Sequence, residues 1–142
     1  VAVRITVETH GAIADGTADD RFQTAFADAI QEIVLRGERE AKLMAQPAPA
    51  GSFHTRDYAE AHGYFQTGHY NRSIHGRVMR NMNGEISDSG VVYGPWLEGV
   101  SSRNQSSRFR GYSIFRRTKD TLERISGEVV DHYIRRFIQS TD

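Results

Sequence analysis

Six histidines and no cysteine define the chemical inventory of this 142-residue chain. His54, His62, His69 and His75 are eight, seven and six residues apart. That spacing fits no compact metal-ligand pattern, and no H-E-x-x-H motif occurs. Without thiolates, Cys-ligated zinc, disulfides and cysteine catalysis are excluded. His132 follows Asp131 on a helical pattern, where a solvated surface pair is the plainer reading. Ser101, Ser102, Ser106 and Ser107 lie in a polar stretch with no histidine nearby, and no G-x-S-x-G elbow exists. GTADD lacks the Gly-Lys-Ser/Thr ending of a phosphate-binding loop. Asp19 and Asp20 suit the electrostatics of a helix start better than a shared proton. Asn71-Arg72-Ser73 and Asn104-Gln105-Ser106 match the glycosylation tripeptide, a pattern common by chance. The expectation is therefore no catalytic residue, no metal site, no cofactor and no enzyme.

One stretch resists explanation as packing: YGPWLEGVSSRNQSSRFRG, Tyr93 to Gly111. Between Gly99 and Lys119 the chain carries Arg103, Arg108, Arg110, Arg116, Arg117 and Lys119 without an acid, interleaved with Phe109, Tyr112 and Phe115. Arginine and aromatic side chains together can stack bases and neutralise phosphates, or they can anchor a protein interface. The formal net charge of zero favours the second use. Charge is nonetheless uneven, at −3 over residues 1–50 and +3 over residues 51–142. Lys42 and Lys119 are the only lysines, so the positive charge sits on planar guanidinium forks suited to carboxylates and phosphates.

The elements that must position these residues follow from periodicity. The length suits a single domain, 1–142, with its own core. No apolar run approaches the roughly 20 residues of a membrane helix, and no signal peptide opens the chain. Val1, Val3, Ile5 and Val7 alternate as a half-buried strand. Thr17 and Asp20 have capping-box spacing, and Phe22, Phe26, Ala29, Ile30, Ile33 and Val34 then recur at helical intervals. A helix over about 18–44 results, weakened at Gly37 and ended by QPAPAGS. Residues of about 45–70 form a long loop, with a short helix near Asp57 to His62 as an alternative. Tyr70 to Met82 alternates as a strand, NMNG marks a hairpin turn, and Glu85 to Tyr93 returns with Ile86, Val91 and Val92 buried. A second loop spans about 94–111. Phe115, Thr118, Leu122, Ile125, Val129, Tyr133 and Phe137 then mark a terminal helix of about 113–139, interrupted at Gly127. The expected fold class is α+β, an antiparallel sheet with a β-hairpin packed against two long helices.

The order of motifs in the second half resembles the neck proteins of tailed phages: the siphophage tail-completion or minor head–tail joining proteins, related in fold to tail terminators. Thr67, Gly68, Tyr70, Ser73 and Ile74 match the first family element. Tyr93, Leu97, Glu98, Gly99 and Ser101 resemble the second, and Arg108 and Phe109 the third. Two departures are plain: the proline between the last arginine and phenylalanine is missing, and Gly99 follows Glu98 directly where an aromatic is usual. The resemblance implies a structural virion protein, assembled in the host cytoplasm and resident in the neck. It implies a ring of copies, a hexamer favoured, against the head–tail connector and tail tube proteins. Tyr93, Trp96, Glu98, Arg103, Arg108, Phe109 and Arg110 are the expected interface residues. The alternatives are a ring whose lumen arginines touch DNA without reading sequence, or an interaction module unconnected with a virion.

Overall fold

Alternating Val3, Ile5 and Val7 give strand β1, Arg4–Val7, with Ile5 turned into the core. The structure is a computed structural model, and it describes residues 2–11, 15, 19–45 and 69–140. After β1 come helix α1 (Asp20–Met44), a short helix α2 (His69–Ser73), and strands β2 (His75–Val78) and β3 (Gly84–Ser87). Two further short helices, α3 (Gly94–Glu98) and α4 (Ser102–Ser106), precede the long helix α5 (Ile114–Ser140). The fold is α+β. The sheet has order β1-β3-β2 with both pairings antiparallel, and α1 and α5 pack against it.

Glycines set how closely the layers approach. Gly76 on β2 and Gly84 on β3 both face Val34 of α1, and a Cβ on either would collide with the Val34 methyls. Gly37, read from sequence as a weak point of α1, is buried against Ile86 and Leu122 where a methyl would not fit. Phe22 near the start of α1 meets Phe137 near the end of α5, with ring centroids 5.7 Å apart. Gly37 meets Leu122 near the other end, so the two long helices run antiparallel. Ile30, Ile33, Val34, Ile86, Ile114 and Leu122 form the centre of the core.

Several local expectations are corrected. Helix α1 starts at Asp20, and its N-cap is Asp19, whose carboxylate accepts the Arg21 N–H at 3.0 Å. Tyr70 to Ser73 is helical rather than extended. Tyr70 and Ile74 are both fully buried, a pairing four residues apart that serves one helical turn as well as alternation serves a strand. The hairpin does form, with Met79 N–H donating to Asn83 C=O at 2.7 Å, but each strand spans only four residues. Strand β3 stops at Ser87, because Asp88 turns its carboxylate onto the N–H groups of Val3 and Gly90, each at 3.0 Å. Ser89 and Gly90 then take positive φ of 64° and 77° and turn the chain out of the sheet. Val92, expected to be buried, is 96% exposed as a result, and Val91 is half-buried. The loop of about 94–111 contains α3 and α4. Thr17, the segment around Asp57 to His62, His54, Thr67 and Gly68 lie outside the described residues.

Candidate functional site

The segment from Tyr93 to Ser113 is a folded excursion closed by backbone contact at its base. Pro95 sits in the first turn of α3, where its missing N–H costs nothing. Gly99 ends α3 in the left-handed region at φ 100°, donating to Pro95 C=O at 3.0 Å. Gly111, at φ 90°, lies directly on Gly99, and a Cβ on either residue would strike the other's backbone surroundings. Tyr112 N–H reaches Leu97 C=O at 2.7 Å and Ser113 N–H reaches Glu98 C=O at 3.2 Å, which ties the two ends together.

Glu98 holds this base. Its side chain is nearly buried, and its two oxygens accept the N–H groups of Phe115 and Arg116, each at 2.9 Å. These are free donors of the first turn of α5, so a carboxylate from α3 caps the long helix from outside it. Asn104 holds the tip. Its amide oxygen accepts Ser101 N–H at 3.0 Å, and its amide nitrogen donates to the carbonyls of Trp96 and Phe109 at 3.0 and 3.2 Å. That side chain is buried and fully engaged, so it cannot be the glycan acceptor that its tripeptide suggested. The other tripeptide asparagine, Asn71, donates to Lys42 C=O on α1.

The aromatic residues of the segment pack first on their own subunit. Trp96 and Phe109 are half-buried with centroids 4.6 Å apart, and Phe109 meets Tyr112 edge-on at 5.1 Å. Tyr93 is also half-buried and lies against Tyr70 at 6.0 Å. Tyr70 donates to Asp88 at 3.4 Å. Burial pushes the Tyr70 hydroxyl well above the usual phenol range, and the charges of Asp88 and Glu98 push it further. Burial raises Tyr93 too, with Asp88 adding to it. Ser73 donates to Tyr70 C=O at 2.7 Å and accepts, through its own carbonyl, from the Ser89 hydroxyl at 2.7 Å. Tyr70 is thus brought beside Tyr93 by packing, while Ser73 is tied to Ser89 and Ile74 lies in the core.

The arginines divide into two groups. Arg110 donates to Asn104 C=O at 2.9 Å and so belongs to the internal scaffold. Arg103 and Arg108 are exposed on the tip. Arg103 lines a cleft of about 330 Å³ walled also by Val92, Tyr93, Pro95, Trp96, Ser101 and Ser102, and nearby in the chain Val100 is 71% exposed. Sequence reading named Trp96 and Arg103 here, expected Val92 to be a buried strand residue, and did not single out Val100. It also missed Asp88 and Asn104. Signals for both exist: Asp88 opens a D-S-G turn, and Asn104 stands three residues after a serine cap. Among the described residues, no group of three or more His, Asp or Glu side chains could hold a metal ion. An exposed valine and a tryptophan walling a cleft, with a cation on the rim, are equipped to bind. No protein-family model, curated protein or solved structure matches the chain.

Proposed function

We propose that this chain is a structural virion protein of the tailed-phage neck, forming a ring that completes the tail and joins it to the head connector. In this reading the excursion over α3 and α4 is the contact to a neighbouring subunit or to the next ring. One observation carries the binding role: Val92, which walls the Trp96 cleft, and Val100, which follows α3, are the two most exposed large apolar side chains among the described residues. Aliphatic groups so exposed, on a segment held rigid by Glu98, Asn104 and the Gly99–Gly111 contact, favour burial against a partner. The cleft suits one apolar side chain, and Arg103 on its wall suits a carboxylate beside it. Individual rim pairs would add roughly 0–1 kcal/mol, so the apolar contact dominates. A ring needs two different complementary patches on each subunit, and the acidic first 50 residues supply a counterpart to this one. The assignment to a phage neck rests on the motif resemblance.

The test uses Val92→Asp with Val100→Asp. Both positions are exposed, so the thermal midpoint should stay within a few degrees while self-association and incorporation into particles are lost. Unchanged assembly of the double variant would remove this surface from consideration. A second reading, in which the tip faces DNA, draws on exposed Arg103, Arg108, Arg116 and Arg117. It requires DNA binding by the assembled protein that weakens steeply with salt and with Arg103→Ala.

A further inference from the structure

The three-stranded sheet has two edges that differ in chemistry. Asp88 N–H donates to Val3 C=O at 3.0 Å, which fixes the alternation of the β1–β3 ladder. In the register Arg4↔Ser87, Ile5↔Ile86, Thr6↔Glu85, residues Val3, Ile5 and Val7 then bond toward β3. Arg4 and Thr6 point their N–H and C=O groups outward. The same phase persists beyond the strand, because Thr9 N–H again turns inward to Asn83 Oδ1 at 3.0 Å, so Glu8 also faces out. The outward backbone groups of Arg4 and Thr6 meet no hydrogen-bond partner among the described residues. The opposite edge is partly guarded. Of its two outward residues, Gly76 and Val78, Gly76 gives its N–H to Glu38 of α1 at 2.7 Å. An unprotected edge is a template for another strand; Glu38 occupies an outward N–H on β2, and no described residue does so on β1.

We propose that the β1 edge is a docking site for the β1 edge of a second copy of this chain, extending the sheet across a two-fold axis. The partner is argued from self-complementarity. Antiparallel pairing centred on Thr6 puts Thr6 opposite its own copy, and puts Arg4 opposite Glu8 twice, once on each side of the axis. Outward backbone groups then meet outward backbone groups, as the ladder requires. Ile5 falls opposite Val7 on the core face. Arg4 is free to share its charge: it lies 3.3 Å from Glu85, but Glu85 is also held by Arg77 at 3.1 Å. Glu8 is exposed and lies 3.5 Å from the equally exposed His10. A contact that is its own complement closes at two copies and cannot build a ring, so this surface is separate from the α3–α4 patch and does not rest on the reading above.

Sedimentation equilibrium over a micromolar concentration range tests the proposal, with every protein carrying Val92→Asp and Val100→Asp to disable the α3–α4 patch. The parent should be in monomer–dimer equilibrium. Glu8→Arg places like charges opposite each other twice and should weaken the dimer by about tenfold or more. Arg4→Glu added to Glu8→Arg restores opposite charges and should return the dimer to near its original strength. Thr6→Pro removes an outward donor and should leave a monomer; if that variant fails to fold, the exposed Glu8 series carries the test alone. A parent that stays monomeric, a dimer indifferent to Glu8→Arg, or a double reversal that does not restore association would each overturn the proposal.

Discussion

Among the described residues, buried polar side chains are answered one by one, with Thr118 as the exception. Asp88 accepts from two backbone N–H groups and a tyrosine, Glu98 accepts from two backbone N–H groups, and Asn104 uses both ends of its amide. Thr118, fully buried on α5, has a hydroxyl with no partner among the described residues. A buried hydroxyl without a partner costs about 1–3 kcal/mol of desolvation, and an apolar group of the same shape avoids that cost. Thr118→Val should therefore raise unfolding stability by about 1 kcal/mol, read as a higher urea midpoint with an unchanged slope. A lower midpoint would mean that the hydroxyl is bonded. At this scale the site was only partly legible. Trp96, Arg103 and Arg108 stood out by type, but Glu98 looked like an interface carboxylate because sequence does not show that α5 begins within its reach. Asn104 was hidden inside a tripeptide that advertises a different role.

The two long helices each contain a glycine, and sequence treats the two alike. Structure separates them. At Gly127 a Cβ would meet nothing within 4 Å, whereas at Gly37 it would collide with Ile86 Cδ1 and come within 2.8 Å of Leu122 Cδ1. Both substitutions to alanine gain the same helix propensity, roughly 0.8–1 kcal/mol. Gly127→Ala should keep that gain. Gly37→Ala should lose it and about 1–3 kcal/mol more, because the helix must lift from the sheet or two side chains must leave their rotamers. Thermal unfolding of the two variants beside the parent decides the matter, and equal effects would refute the close approach. The long helices were legible in the sequence to within two residues at most ends, since six positions over 22–34 and seven over 115–137 at helical spacing leave little choice. The hairpin strands were less so. Four-residue strands give too few alternations to fix their ends, and Tyr70 and Ile74 satisfy helix and strand spacing alike. Where β3 ends depends on Asp88 bonding to Val3, 85 residues away, a contact that local pattern cannot contain.

The helix layer and the sheet are joined at the β2 edge by one carboxylate, and this gives the whole fold a titratable link. Glu38 on α1 accepts Gly76 N–H of β2 at 2.7 Å and pairs with Lys42 at 2.8 Å. Burial pushes its carboxyl upward. The Lys42 hydrogen bond, the Gly76 N–H and the charges of Lys42 and His75 together outweigh that push and leave it below its ordinary value of 4.5. In the unfolded chain Glu38 takes up a proton as the pH falls through that ordinary value, while the folded chain still resists. The stability contributed by Glu38 is therefore complete above about pH 4.5 and is lost as the pH falls through the depressed folded value. Glu38→Gln cannot titrate. The stability difference between parent and variant should be largest near neutral pH and should shrink steadily below pH 4.5, measured by urea unfolding at a series of pH values. The same acid window removes the guard from Gly76 N–H, so the β2 edge should open as the helix–sheet link weakens, and the exchange rate of the Gly76 amide should rise relative to that of Ile86. A parent–variant difference that is the same at pH 7 and at pH 3 would show that the carboxylate does not join the two layers.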